Sequence, residues 1–237
     1  MKWRLILRNP ENFVDPPRPE CHEVRTLSED ETAVLLSAAK STRLYIPVLF
    51  AVATGLRRGE VLGLRWSDVD LENGVLSVRR SLTATKSGLV FKQSKTAQSS
   101  RQVSLLPLIL DVLGDHRTEQ QRNRLALGPA YTDHGLVSAR SNGKPVNPRQ
   151  LSKDFLGLVR RIKIPRIRFH DLRHTHATQL LRQEVHPKIV SERLGHSSVA
   201  ITPDFYSHMM PGMQEDAAPR LDVSLGAAIR AQTANIK

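Results

Sequence analysis

The stretch HDLRHTHATQL, residues 170–180, places side chains that can do chemistry within one predicted helix. His170 and His174 stand four residues apart, so both rings share one helix face, and Arg173 lies between them. Two histidines at this spacing can bind zinc. Asp171 stands where such sites usually have a glutamate, however, and the fixed charge of Arg173 opposes a cation. The alternatives are histidines that only pack, or part of a cradle for an anion.

The charge of the chain favours an anionic partner. Lysine and arginine number 35 against 23 acidic residues, a net charge of +12. The segments RRIKIPRIRFHDLR (160–173) and KSGLVFKQSKTAQSSR (86–101) are strongly basic, with one acid in the first and none in the second. Apolar residues alternate with these charges, which indicates folded elements rather than a basic tail. A phosphate backbone is therefore the expected partner, and a merely basic, solvated surface is the alternative.

The rest of the composition excludes several classes of protein. Cys21 is the single cysteine, which rules out a disulfide framework and a cysteine-rich metal site, so an intracellular location is expected. The sequence contains no apolar run long enough to span a bilayer, and its start, MKWRLILRNP, does not resemble a secretory signal. We therefore expect no membrane partner.

The elements that must position these side chains are mostly helices. Ser28 and Glu31 form a capping-box pattern at a helix start, and the apolar segment 43–66 predicts a buried helix, a turn at Gly55 and a second short helix. Short β-rich segments between residues 75 and 106 predict a small antiparallel sheet. Pro107 suits the start of a long helix that stops at Gly128. The expected fold class is mainly α with a small antiparallel β-sheet (α+β).

Four segments occur in an order that resembles the catalytic domain of the tyrosine recombinases, the phage integrase family. They are ATGLRRGEVLGLRWSDVD (53–70), KQSKTAQSSRQVSL (92–105), FHDLRHTHATQLL (169–181) and RLGHSSVAITPDFYSH (193–208). The resemblance covers residues 23–215 and implies site-specific DNA recombination, as in integration and excision of a phage or mobile element. It also implies six catalytic residues and no metal or other cofactor. These residues are Arg57, Lys95, His170, Arg173, His196 and Tyr206.

The residue types fit such chemistry. The tyrosine oxygen can attack a DNA phosphorus and remain attached as a 3′-phosphotyrosyl intermediate, which a free DNA hydroxyl later resolves. Two guanidiniums can clamp the charged phosphate oxygens. Lys95 is the candidate acid for the leaving oxygen, although Lys86 and Lys92 are close competitors. His170 would assist proton transfer at the tyrosine, and His196 would donate a hydrogen bond to the phosphate.

The resemblance also suggests partners and domains. Double-stranded DNA is the expected ligand, bound by a homotetramer with possible accessory DNA-bending or directionality proteins in a bacterial cytoplasm near the nucleoid. Residues 1–22 would be the remnant of a core-binding domain and linker, 23–215 the catalytic domain, and 216–237 a C-terminal tail or exchange helix. The short N-terminus leaves open an excised fragment, a misassigned start and a naturally reduced protein. Candidate DNA contacts are Arg58, Lys92, Arg101, Arg166 and Arg168.

Three alternatives stay open at this point. A non-catalytic DNA-binding fragment of an integrase would keep the basic surface without strand exchange. A type IB topoisomerase-like strand transferase would share the chemistry without recombination. A zinc hydrolase would use His170 and His174 as metal ligands.

Overall fold

The computed structural model of the protein describes residues 25–93 and 101–195. Within these ranges most of the regular structure is helical. The helices are α1 (Glu29–Ala39), α2 (Tyr45–Thr54), α3 (Arg58–Gly63), α4 (Pro107–Leu127), α5 (Pro148–Val159), α6 (Asp171–Arg182) and α7 (Pro187–Leu194). Short 3₁₀ turns occupy Trp66–Asp68 and Gly128–Ala130. None of the helices in these described ranges combines the length and apolar character that a membrane crossing requires.

The predicted helix starts and stops are confirmed where the structure describes them. At α1, the Ser28 side chain accepts from the Glu31 N–H at 3.1 Å, and the Glu31 carboxylate accepts from the Ser28 N–H at 2.8 Å. Helix α4 begins at Pro107 and ends before Gly128. These ends form as predicted because each depends on residues that are close in sequence.

The strands divide into two antiparallel sheets. Strands β1 (Val69–Asp70), β2 (Val75–Val78) and β5 (Arg101–Ser104) form a three-stranded sheet in the order β1-β2-β5, and β3 (Arg80–Thr85) pairs with β4 (Gly88–Gln93) as a hairpin. The segment VLSVRRSL therefore breaks at Arg79, and its two halves enter different sheets. The fold class expected from the sequence is confirmed, with its strands split in two.

Helix α2 lies at the centre of the hydrophobic core. Its sequence, YIPVLFAVAT, is apolar nearly all round, as expected for a helix that is covered on every side. One face packs in a cluster with α1, α5 and the start of α6, where Phe155 and Phe169 meet edge to face. The opposite face, which carries Phe50, packs in a second cluster with β2, β5 and α4. This buried helix supports α3 and α6, which carry the candidate site residues.

Candidate functional site

Three arginines from different parts of the chain hold the C-terminal end of α7. Three consecutive carbonyl oxygens there each accept a hydrogen bond from a different guanidinium. The bonds run from Arg101 Nε to Arg193 at 2.7 Å, from Arg173 Nη2 to Leu194 at 2.7 Å, and from Arg57 Nη2 to Gly195 at 3.1 Å. The last carbonyls of a helix lack partners within it and carry partial negative charge, so cations are favoured there. The structure thus brings two of the predicted catalytic arginines together.

The buried carboxylate of Glu60 holds Arg57 in place. Glu60 accepts from the Arg57 backbone N–H at 2.9 Å and from its Nη1 at 2.9 Å. Glu60 is 8% exposed, whereas the side chain of Arg57 is 43% exposed. Glu60 therefore fixes the position of both the backbone and the guanidinium of Arg57. The exposed part of the guanidinium remains accessible to a ligand.

Glu60 is ionised at neutral pH. Burial alone would raise the pKa of this carboxyl, but the hydrogen bond and charge of Arg101, followed by the contacts of Arg57, outweigh burial and leave the pKa of Glu60 below its ordinary value. A buried carboxylate between two guanidiniums is the arrangement in which the negative charge is best compensated.

Arg173 lies deeper than Arg57. It is 3% exposed, and its Nη1 donates to the carbonyl oxygen of Gly55 at 2.6 Å. Gly55 ends α2 in the left-handed conformation, with φ +65°. A Cβ at this position would lie 2.5 Å from the Leu194 side chain and 2.7 Å from the ring of His176. Glycine is therefore required both by the turn and by the close approach of α6 and α7.

His170 immediately precedes α6, next to the two arginines. Its ring meets that of His174 edge to face, with the centroids 5.2 Å apart. Desolvation, and then the charge of Arg173, lower the pKa of His170, although Asp171 opposes them. Desolvation and the neighbouring His170 lower the pKa of His174 to about 4. Both imidazoles are therefore neutral at pH 7, so His170 can accept a proton.

A basic cleft opens between α3, β3 and the first turns of α5 and α6. It has a volume of about 460 Å³ and is lined by Arg57, Arg58, Arg149 and His170, together with residues 81–84. Among the described residues that line the cleft there is no carboxylate. Its size and charge suit a segment of phosphate backbone. Arg149 was not among the residues chosen from the sequence. It lies at the N-terminus of α5, which brings it to the cleft.

The guanidinium of Arg101 is bound to oxygens inside the protein. Its side chain is 7% exposed, and its guanidinium donates to both oxygens of Glu60, at 2.9 and 3.3 Å, besides the carbonyl of Arg193. All three of its nitrogens are thus engaged inside the protein. The guanidinium of Arg101 is therefore engaged within the protein, and its assignment as a DNA contact stays a prediction.

The other expected DNA contacts lie at or near the surface. Arg58 donates to the Ser152 hydroxyl at 2.6 Å and lines the basic cleft. Lys92 is exposed and pairs across the hairpin with Ser81, which lines the same cleft, so the two side chains share a sheet face. Arg166 is exposed, and the side chain of Arg168 is 63% exposed although it pairs with Asp171 at 3.0 Å.

Three of the predicted catalytic residues, Lys95, His196 and Tyr206, lie outside the described residues. So do the two terminal segments, 1–22 and 216–237. Among the residues that the structure describes, no group of three or more histidine, cysteine, aspartate or glutamate side chains is placed to hold a metal ion.

The fold and these residues match a known family. A model of the phage integrase family matches residues 25–212, so the chain belongs to that family. The XerC-like tyrosine recombinase of Caldanaerobacter subterraneus subsp. tengcongensis is 32% identical, over 92% of this chain and 60% of its own length. The ICEBs1 integrase of Bacillus subtilis is 30% identical, with the same coverage of 92% and 60%. The chain thus spans about three fifths of the length of these relatives.

Solved structures show the same fold. The Tn1549 transposon integrase, solved in complex with transposon right end DNA, aligns with a TM-score of 0.73 over 91% of this chain and 70% of its own, at 19% identity. XerA recombinase aligns with a TM-score of 0.64 at 26% identity, over 87% of this chain and 66% of its own. The described part of the chain therefore has the fold of tyrosine recombinase catalytic domains.

Proposed function

We propose that the protein is a tyrosine-type site-specific DNA recombinase that cuts and rejoins strands in integration and excision. The observation that carries the proposal is the convergence of Arg57, Arg173 and His170 beside a basic cleft. Family membership supports the same reaction. In this proposal residues 23–215 form the catalytic domain, double-stranded DNA is the substrate, and a homotetramer in the bacterial cytoplasm completes the exchange.

The two arginines would stabilise the reacting phosphate. A phosphodiester under attack gathers negative charge on its non-bridging oxygens, and guanidiniums keep their charge at every physiological pH. Arg57 is partly exposed at the cleft and would bind one oxygen directly. Arg173 is buried beside it, with both Nη atoms donating to backbone carbonyls, and would contribute positive potential at the phosphate. His196 would donate a further hydrogen bond.

The strand cut would be a transesterification. The Tyr206 oxygen forms a bond to phosphorus while the bond from phosphorus to the 5′ oxygen breaks. The tyrosine proton passes to His170, whose lowered pKa leaves its ring unprotonated at pH 7 and so able to accept a proton. Lys95 protonates the departing 5′ oxygen. The reverse reaction with the 5′ hydroxyl of another strand would rejoin the DNA, so no nucleotide is hydrolysed.

A covalent-adduct assay tests this function. The full chain is mixed with a nicked duplex that carries a candidate attachment site, from which the cleaved end diffuses away and traps the adduct. We expect a protein–DNA band that survives denaturant, with no divalent metal added, and that disappears in Tyr206→Phe.

The matched control is Tyr131→Phe. Tyr131 follows the 3₁₀ turn Gly128–Ala130 and is not among the described residues that line the basic cleft. This variant should form the adduct at the rate of the unsubstituted chain. Binding of the duplex without any adduct would reject the proposal in favour of a non-catalytic DNA-binding protein. An adduct that persists in Tyr206→Phe would reject Tyr206 as the nucleophile.

A further inference from the structure

The buried ion pair between Arg101 and Glu60 connects three parts of the chain that carry the candidate catalytic residues. Arg101 begins β5, just after the segment that holds Lys95. Its Nη2 lies 2.9 Å from Glu60 on α3, and its Nε lies 2.7 Å from the carbonyl oxygen of Arg193, in the segment that continues to His196. Few single side chains could link these three segments, since a guanidinium alone offers donors in several directions.

Glu60 connects Arg101 to Arg57, because its carboxylate binds both. One carboxylate serves both guanidiniums: Oε1 accepts from Arg57 Nη1, and Oε2 accepts from Arg57 N and Arg101 Nη2. Without Arg101, the second charge beside Glu60 is lost, and the carboxylate is free to turn toward Arg57 alone. The guanidinium of Arg57 would then shift relative to the cleft.

The carbonyl end of α7 is the second route by which Arg101 acts. Arg57 and Arg101 bind carbonyls two residues apart, at Gly195 and Arg193. Gly195 has φ +67°, and a Cβ there would lie 2.9 Å from Arg101 Nη1. The guanidinium of Arg101 therefore packs directly against the turn that ends α7, and its position fixes the oxygen to which Arg57 donates.

We infer that Arg101 is a positioning residue for the proposed strand cleavage: it holds Glu60 and the end of α7, and through them sets the guanidinium of Arg57. The inference rests on the proposed function. It differs from a DNA contact, because the Arg101 side chain is buried. It differs from a general stabilising role, because Glu60 also binds Arg57, and the end of α7 that Arg101 binds carries the Gly195 carbonyl to which Arg57 donates.

The kinetic test separates these roles. Adduct formation on the nicked duplex is followed at increasing DNA concentration for the full chain and for Arg101→Lys, which keeps the charge but cannot bind Glu60 and Arg193 together. We expect the rate at saturating DNA to fall by about 10- to 100-fold, with less than about a threefold change in the half-saturating DNA concentration. A higher half-saturating concentration with an unchanged rate would overturn the inference and indicate a DNA contact. A smaller amplitude at an unchanged rate would overturn it as well, because that is the result of partial unfolding.

The control variant is Arg80→Lys. Arg80 is also an ion-paired arginine on a strand, with its side chain 20% exposed, but its partner is Asp68, at 3.1 Å, and not Glu60. It should leave the rate at saturating DNA unchanged. In a Glu60→Gln background, Arg101→Lys should add less than about a twofold further loss, because both changes break one network. Full additivity of the two losses would contradict action through Glu60.

A spectroscopic readout does not depend on activity. The side-chain ¹⁵N signal of Arg57, assigned by its loss in Arg57→Lys, should shift or broaden in Arg101→Lys and stay in place in Arg80→Lys. An unchanged Arg57 signal in Arg101→Lys would overturn the positioning role. If the unsubstituted chain forms no adduct, the proposed function fails, and this signal still decides whether Arg101 positions Arg57.

Discussion

Arg57 and Arg173 donate to the carbonyl oxygens of neighbouring residues, at 3.1 Å to Gly195 and at 2.7 Å to Leu194. Two guanidiniums from distant segments are thus brought together by two adjacent backbone oxygens. Their mutual repulsion is offset by these oxygens, at the negative end of the α7 dipole, and by Glu60 beside Arg57. In the proposed reaction this positive charge would already be in place for the phosphate, which would reduce the reorganisation required.

The first prediction concerns the geometry of Arg173. Arg173→Lys keeps the charge but loses the fork that reaches Gly55 and Leu194 at once. We expect adduct formation at saturating DNA to slow by about 100-fold or more, measured with the nicked duplex. Arg182→Lys, an exposed change at the end of the same helix, should have no effect. Equal rates for both variants would show that charge alone suffices at Arg173.

The second prediction concerns the turn between α2 and α3. Gly55→Ala should destabilise the protein by about 1–2 kcal/mol from left-handed strain, and by about 1–3 kcal/mol more from the clash with Leu194 and His176. Gly135→Ala is the matched control: its φ is +64°, close to the +65° of Gly55, but no atom lies within 4 Å of its Cβ position. Denaturant unfolding measures the difference, and equal losses would mean that the close approach is not tight.

Local patterns in the sequence were enough to predict the helices but not the buried ion pairs of Glu60 with Arg57 and Arg101. The capping box at Ser28 and the turn at Gly55 involve neighbouring residues, so their chemistry can be read directly. Arg101 stands in a basic run without acids, which suggested a DNA contact, whereas the carboxylate that it binds in the folded chain, Glu60, lies 41 residues away. Charge counts over a short window cannot detect a pair formed only in the folded chain.

The candidate site was predicted from the family motifs and not from local patterns alone. The resemblance located Arg57, His170 and Arg173, and the structure brings these three together. Arg149 was missed because its place at the cleft depends on the packing of α5 against β3 and α3. Such a residue has no local signal that distinguishes it from any other exposed arginine.

The third prediction is a loss of stability in mild acid. The His176 Nε2 accepts from Arg193 Nε at 3.1 Å, so its Nδ1 must carry the proton that it donates to the Val52 carbonyl at 2.8 Å. Burial, and then the charge of Arg193, lower the pKa of His176 to about 4. The unfolded chain takes up this proton near pH 6.5 and the folded chain only near pH 4, so the free energy of unfolding falls as pH falls through this window and is constant above it.

The size of this effect follows from the shift in pKa. His176 alone should contribute a loss of about 3 kcal/mol between pH 6.5 and pH 4, and His174, whose pKa is also lowered to about 4, adds to it. Urea unfolding at a series of pH values measures the slope. His176→Gln should reduce the slope in this range, and an identical slope in that variant would mean that His176 is not buried in its neutral form.

The fourth prediction concerns phosphate contacts outside the catalytic centre. Arg166 is exposed within the basic segment 160–173, and Arg166→Ala should weaken DNA binding similarly for all sequences. The slope of log Kd against log salt should fall by about 1. Arg122→Ala removes a side chain that is 74% exposed on α4, and it should leave the slope unchanged. Equal effects of the two variants would indicate a general charge effect and no defined DNA path at Arg166.

The fifth prediction identifies the general acid among three lysines. If Lys95 protonates the departing 5′ oxygen, Lys95→Ala should slow adduct formation by about 100-fold or more on ordinary DNA. A duplex with sulfur in place of that bridging oxygen needs no acid, because a thiolate leaves without a proton, and it should restore the rate of the variant. Lys92→Ala and Lys86→Ala, which change exposed lysines of the β3–β4 hairpin, should show neither the loss nor the rescue. Rescue of Lys92→Ala in place of Lys95→Ala would move the acid three residues along the chain and bring it into the described hairpin, opposite Ser81.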